Sequence, residues 1–281
     1  MKKILPVLLL LILALVLCWP SAEAGPGFLP VLARYSGGPV ANGGSIKGFV
    51  TVDPIPSPAA FVIGKDSQVC SGAKASPRLV VDKETKGVGN VVVFLDSIKN
   101  GKPRPTGVTV VINQKGCQYS PHIVIVPVKS KVTFASSDPI LHNVHVFKGT
   151  PDQPHGLLSD IANIAMKDDK VPGMPLSKRA LRKPGFFYIR CDAGHIWMSA
   201  YLWVVEHPYY AVTDAKGGFV LTDVPPGTHT LRFWHENWEA TPVKNDGKVT
   251  GYNYGDPIQH RSQVTVKPGA ATTSNWTIKS G

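Results

Sequence analysis

The residues best suited to chemistry lie in one short stretch, from Cys191 to Met198. Cys191 would supply a thiolate, His195 an imidazole and Met198 a thioether. Two histidines and one cysteine in a trigonal arrangement, with a weak axial methionine, form a mononuclear blue-copper site. The stretch lacks one histidine, and the best candidate for it is His142. We therefore predict a site for one copper ion, cycling between Cu(I) and Cu(II), with the ligands His142, Cys191, His195 and Met198.

The start of the chain has the features of an export signal. Residues 1–24 combine a basic Met-Lys-Lys start, a short apolar run and an A-x-A end, which is typical of a cleavable signal peptide. Cys18 follows a leucine rather than a small residue, and this disfavours lipoprotein anchoring. No later stretch is long and apolar enough to cross a bilayer. The mature protein is expected to be periplasmic or extracellular.

Cysteine usage supports one metal-bound thiolate. Beyond residues 1–24 the sequence contains Cys70, Cys117 and Cys191. In an oxidising compartment two cysteines are expected to pair, which leaves one thiol over. A Cys70–Cys117 disulfide with Cys191 as the copper thiolate accounts for all three. The alternative is a buried free thiol at Cys191 that only packs, but the nearby histidine and methionine favour a ligand.

The charge and the motifs of the sequence indicate which partners and which activities to expect. A formal net charge of +11 would steer association with an acidic partner and make that association salt-sensitive. The lysines are scattered between predicted strands, so nucleic-acid binding is not expected. The sequence contains no G-x-S-x-G, no H-E-x-x-H and no phosphate-binding glycine loop. These features favour a protein that is not an enzyme.

A resemblance to a known protein family includes both predicted ligand segments, the one that begins at His142 and the one from Cys191 to Met198. It is carried by residues 134–138, 142–143, 184–191 and 195–198, which resemble the cupredoxin, or plastocyanin-like, pattern. The resemblance covers roughly residues 103–207. Lys129 and Ser136 stand where family members often carry glycine and asparagine. The segment from Cys191 to Met198, which we call the ligand loop, ends in a pattern closer to the binuclear copper domain of cytochrome oxidase subunit II, whose centre needs two cysteines. With one cysteine in the loop, a mononuclear site is implied.

Strand alternation leaves two histidines open as the missing ligand. In the predicted strand of residues 142–147, His142 and His145 point to opposite faces. Both faces contain apolar residues, so alternation alone does not choose between them. The cupredoxin resemblance implies His142, and it leaves His145 as an alternative ligand. It also implies that Asn143 ties the two ligand loops together.

The rest of the chain predicts an all-β protein. Helical periodicity is nearly absent, and β-branched runs alternate with Gly, Pro and Asn turns, which is typical of β-sandwiches. The exception is Leu158–Met166, which is predicted to form a short helix with Ser159 as its N-cap. In the predicted strand before the ligand loop, Phe187, Ile189 and Cys191 share one face, which suits a buried ligand.

A second resemblance concerns the segments before and after residues 103–207, which we call the copper block. The T-D-x-x-G-x-F and P-P-G-x-x-x-L motifs at residues 213–219 and 225–231 resemble the carboxypeptidase regulatory-like, or transthyretin-like, sandwich. The opening strands of that family correspond to residues 48–50 and 91–95, before the copper block. This implies two Greek-key-type β-sandwiches, one inserted into the other. The predicted boundaries are a flexible lead-in at 25–44, an outer sandwich at 45–102 and 208–281, and a cupredoxin-like domain at 103–207.

The sequence as a whole favours a secreted electron carrier. A full set of protein ligands leaves no open position for a substrate, and the positive charge suits an acidic redox partner such as a cytochrome. One alternative is copper binding for storage or tolerance. Another is a cell-surface interaction or carbohydrate-binding module with a vestigial copper site. For the last, Trp234–Trp238 could form an exposed sugar platform, although packing between domains is the favoured interpretation.

Overall fold

The computed structural model describes residues 35–58, 60–70, 76–156, 159–170 and 172–280. The predicted signal peptide and the beginning of the lead-in lie outside these residues. The described chain is almost entirely β-structure, which confirms the all-β prediction. Within it, no helix has the length and apolar character needed to span a bilayer.

The strands follow one another along the chain in three groups. The first group contains β1 (Ser36–Gly37), β2 (Gly44–Asp53), β3 (Val92–Asp96) and β4 (Asn100–Gly101). The short helix α1 (Ser67–Cys70) lies between β2 and β3. The central group contains β5 (Thr109–Gln114), β6 (Tyr119–Ser120), β7 (Ile123–Pro127), β8 (Lys131–Ser136), β9 (His142–Gly149), β10 (Ser159–Met166), β11 (Met174–Pro175), β12 (Gly185–Arg190) and β13 (Ser199–Val205). The last group contains β14 (Tyr210–Val212), β15 (Gly218–Val224), β16 (Gly227–His235), β17 (Ala240–Asn245), β18 (Lys248–Tyr254), β19 (Ile258–Val266), β20 (Ala271–Thr273) and β21 (Trp276–Lys279).

Strands β5–β13 form two sheets, which we call the central sandwich. One sheet has the order β10-β9-β12-β13-β7 and the other β11-β8-β5-β6. Within them, β13 pairs with β7 and β5 pairs with β8 in parallel. Alternate residues of these strands point inward and share one apolar core. The core includes Ile112, Phe134, Val146, Ile189 and Leu202.

The remaining large sheets form the outer sandwich. Their strand orders are β14-β3-β16-β19 and β15-β2-β20, and β21 also pairs with β2. These sheets combine strands from both sides of the central group; in the β3–β16 pair, for example, Val93 lies opposite Phe233. Their core is separate and includes Ile46, Leu95 and Leu231. Strands β17 and β18 form a hairpin of their own.

The two sandwiches meet at an aromatic cluster with a charged centre. Phe186, Tyr201 and Trp203 of the central sandwich pack with Trp234 of the outer one. Beside them Glu236 is buried, and it accepts a hydrogen bond from the Tyr201 hydroxyl at 2.9 Å. It forms an ion pair with Arg78 and also contacts Nε2 of His122. The junction is therefore both apolar and held by charge.

One expectation from the sequence is wrong, and one alternative is excluded. Ser159–Met166, predicted as part of a helix, is the edge strand β10, and its Met166 lies opposite His142 of β9. Pairing with an existing sheet edge outweighs the weak helix preference of this segment. The alternative of an exposed sugar platform is excluded, in agreement with the favoured packing interpretation: Trp234 and His235 are both 0% exposed and Trp238 is 7% exposed. This cluster packs within the protein instead.

Candidate metal centre

His142 is the first residue of β9 and is completely buried. Its Nε2 lies 2.9 Å from Oδ2 of Asp138. That carboxylate also accepts the backbone N–H groups of Gly116 at 2.7 Å and Cys117 at 2.9 Å. Because an ionised carboxylate can only accept hydrogen bonds, we assign the imidazole proton to Nε2. The lone pair of Nδ1 is then free, and Nδ1 faces the ligand loop.

Cys191 follows directly after β12, and Phe187, Ile189 and Cys191 contribute to one core, as the alternation predicts. The Cys191 side chain is buried, and its Sγ accepts the backbone N–H of Asn143 at 3.4 Å. Burial raises the pKa of the thiol. Metal coordination would lower the pKa of this thiol, since a bound metal deprotonates a thiol.

His195 lies in the loop after Cys191 and faces the other two donors. Its Nδ1 is 3.2 Å from Nδ1 of His142 and 3.7 Å from Sγ of Cys191. Its Nε2 lies 3.1 Å from Oδ2 of Asp66. Burial lowers the pKa of His195 to about 4, with the nearby His142 as a further cause. The imidazole is therefore neutral at neutral pH, which is the form that binds metals.

Met198 closes the same loop. Its backbone N–H donates to the carbonyl of His195 at 2.9 Å, and its side chain is buried in the same core as Cys191. The loop turns at Gly194, whose φ of 94° is a conformation that glycine adopts readily. The short loop thus connects the Met198 backbone to that of His195 and places the Met198 side chain in the core that contains Cys191.

The three closest donor atoms, of His142, Cys191 and His195, lie within 4.8 Å of one another and are all buried. Both imidazoles have their Nε2 held by a carboxylate, so their Nδ1 lone pairs point toward each other and toward the sulfur. A cation between these three atoms would be bound by all of their lone pairs. One thiolate and two imidazoles, together with the predicted Met198 thioether, would make a donor set that fits copper.

The other two polar residues predicted near the site differ in their placement. His145 lies on the opposite face of β9, where one ring nitrogen pairs with Asp192 and the other lies 3.1 Å from Asp160. The structure therefore does not bring His145 to the other donors. Asn143 accepts the backbone N–H of Asp192 and donates to Asn163 at 2.6 Å, so it connects β9 to the ligand loop.

A disulfide joins Cys70 and Cys117, and Cys191 is the free cysteine among the described residues. The disulfide lies beside the centre, because donor atoms of Cys70, Cys117 and His195 are also within 4.8 Å of one another. Trp197 adds a further contact, donating from Nε1 to the Cys117 carbonyl at 3.1 Å.

Sequence reasoning missed the two carboxylates. Asp138 stands four residues before His142, a spacing that could have identified it. Asp66 gave no signal, because it belongs to no recognised motif and lies 129 residues before His195.

Comparisons with known proteins find similarity among solved structures; no protein-family model matches, and no curated protein sequence matches. Auracyanin A, a blue copper protein from Chloroflexus aurantiacus, is 18% identical, with 35% of this chain and 99% of that chain covered and a TM-score of 0.28. Amicyanin from Paracoccus versutus is 16% identical, with 36% and 84% covered and a TM-score of 0.28. A purple cupredoxin from Nitrosopumilus maritimus is 17% identical, with 35% and 99% covered and a TM-score of 0.28. A Cu-containing nitrite reductase from Thermus scotoductus is also similar, at 16% identity, with 40% of this chain and 25% of that chain covered and a TM-score of 0.27.

Proposed function

We propose that this protein binds one copper ion through His142, Cys191, His195 and Met198 and carries single electrons. The observation that supports this most directly is the pair of imidazole Nδ1 atoms, 3.2 Å apart, that converge with the Cys191 sulfur. Both Nε2 atoms contact carboxylates, so the Nδ1 lone pairs are available to bind a cation. A soft thiolate among imidazoles selects copper over harder metals.

Each side chain has a defined part in the proposal. Cys191 binds as the thiolate, His142 and His195 bind as neutral imidazoles, and Met198 is the weak axial ligand that tunes the reduction potential. Copper would supply the one-electron couple. The burial of the donors excludes water from the centre. Because the protein fills all four positions, no site is left for a substrate, and this favours electron transfer over catalysis.

We also propose an organisation into two domains. We place a cupredoxin-like domain at 103–207 inside an outer sandwich formed by 45–102 and 208–281. Sheet membership supports this, since every large sheet draws its strands from one of these two sets within the described chain. The outer sandwich would be a docking or anchoring module of the carboxypeptidase regulatory-like kind. The disulfide and the export signal agree with a periplasmic or extracellular location, and the charge of +11 suits an acidic redox partner.

One observation favours a second function, copper storage or tolerance. Both histidines are 0% exposed, so no edge of either imidazole is open to an approaching redox protein. An electron carrier and a copper-storage protein differ in their electrochemistry. A reversible voltammetric wave with fast electron exchange indicates a carrier, whereas tight binding without a reversible wave indicates storage.

The primary test is a copper titration of the purified protein, followed by visible absorption and electron paramagnetic resonance. One equivalent of Cu(II) is expected to produce a sulfur-to-copper charge-transfer band. Cys191→Ser removes the thiolate and should abolish the band, whereas His145→Ala, which alters a histidine outside the centre, should keep it. A band of the same energy in Cys191→Ser contradicts the ligand assignment. Absence of any band in the wild-type protein would favour an interaction module with a vestigial site.

A further inference from the structure

A segment from the first half of the chain covers the metal centre. Residues 61–70, which we call the covering segment, follow β2 of the outer sandwich, yet they pack on the central one. Phe61, Ile63 and Val69 contact the central core, and Cys70 is part of it. The disulfide to Cys117 fixes the end of the segment. The cover is therefore attached to the central sandwich by both apolar contacts and a covalent bond.

Two side chains of the covering segment reach the ligand loop. Lys65 donates from Nζ to the carbonyl of Ala193 at 2.6 Å. Asp66 places Oδ2 at 3.1 Å from Nε2 of His195, and its side chain is 24% exposed. The two contacts lie on either side of Gly194 and hold the turn of the loop.

The backbone of Asp66 is held in an uncommon conformation. Its φ is 50°, in the left-handed region that aspartate tolerates better than most residues. The carbonyl of Asp66 accepts the N–H groups of Val69 and Cys70, both at 2.9 Å, so α1 fixes this conformation. Residues held in such regions cluster at functional sites, where surrounding structure maintains them. At Asp66 the result is a carboxylate directed at an imidazole.

We propose that Asp66 is a positioning residue for His195, and that its charge favours the oxidised form of the metal centre. This inference rests on the proposed copper function. The hydrogen bond keeps the proton on Nε2 and directs Nδ1 toward the metal position. The negative charge of the carboxylate stabilises Cu(II) more than Cu(I), because the oxidised ion carries the larger charge. Removing that charge should raise the reduction potential.

Two variants separate the charge from the hydrogen bond. Asp66→Asn removes the charge while its amide oxygen can still accept from Nε2, and Asp66→Ala removes both. Replacement of a group that orients a metal ligand costs about 10–100-fold in affinity. For Asp66→Asn we expect Cu(II) binding to weaken about tenfold more than Cu(I) binding, which raises the potential by about 59 mV for one electron. Asp66→Ala should in addition change the copper hyperfine splitting.

Asp160→Asn provides a matched control. It removes the same charge from a carboxylate that also pairs with a histidine, but that histidine is His145, outside the centre. The readouts are Cu(I) and Cu(II) affinities from chelator competition and the midpoint potential from voltammetry. Circular dichroism and the mass of the oxidised protein verify that each variant is folded with its disulfide intact.

The outcomes separate this inference from the function on which it rests. If the wild-type protein binds copper with a charge-transfer band and Asp66→Asn shifts the potential no more than Asp160→Asn, the role of Asp66 is wrong and the copper function stands. If the wild-type protein binds no copper, both are overturned. A rise in potential confined to the Asp66 variants supports the inference.

Discussion

Replacing Glu236 by glutamine should strongly destabilise the protein. Glu236 is 2% exposed at the junction of the two sandwiches, where it faces Arg78, which is 1% exposed, and His122. Glutamine has nearly the same volume and keeps an acceptor for the Tyr201 hydroxyl, but it leaves the guanidinium of Arg78 buried without a counter-charge. Breaking a buried pair in this way costs about 3–5 kcal/mol of the free energy of unfolding.

Urea denaturation followed by tryptophan fluorescence measures this cost, since Trp203 and Trp234 lie at the junction. The control is Asp53→Asn, which breaks the solvent-exposed pair with Lys86 and should cost far less, because water screens exposed charges. The slope of the free energy with urea must be unchanged for the comparison to hold. A loss in Glu236→Gln no larger than that in Asp53→Asn would refute the claim that this charge holds the junction.

One further prediction concerns the same carboxylate at the junction, and another concerns Asp138 at the metal centre. Burial alone would raise the pKa of Glu236, but Arg78 and His122 outweigh it and lower the pKa to about 2. The stability due to this carboxylate is thus complete above its ordinary value near 4.5 and lost as the pH falls toward 2, so the difference between wild type and Glu236→Gln should shrink below pH 4.5 in pH-dependent unfolding. Asp138→Ala removes the partner of His142 Nε2 and should weaken copper binding about 10–100-fold in chelator competition. An unchanged affinity would show that Asp138 does not orient the ligand.

The sequence predicts those features of this protein that depend on local pattern. Cys191, His195 and Met198 stand together in one loop, so their chemistry is visible without a fold. The β-branched runs likewise predict an all-β architecture. The segment Ser159–Met166 was misassigned as helix because its strand state depends on pairing with β9, a neighbour that local preference does not reveal.

Features that depend on distant residues could not be predicted. Asp66 acts on His195 only because the covering segment crosses from the outer to the central sandwich. Arg78 and Glu236 meet across a junction between sheets, and a charged residue in a loop has no sequence pattern that marks it as buried. Such contacts are set by the packing of whole sheets, which no local window of sequence contains.

The pairing of β3 with β16 has a consequence for biosynthesis. Val92–Asp96 leaves the ribosome long before Gly227–His235, and every strand of the central sandwich is translated in between. The nascent chain therefore carries unpaired edges of β2 and β3 while the central sandwich is already able to close. Exposed strand edges are prone to pairing with other chains. We expect newly made protein to depend on chaperones until its last strands are translated, and truncation after residue 207 to yield aggregates rather than a smaller soluble protein.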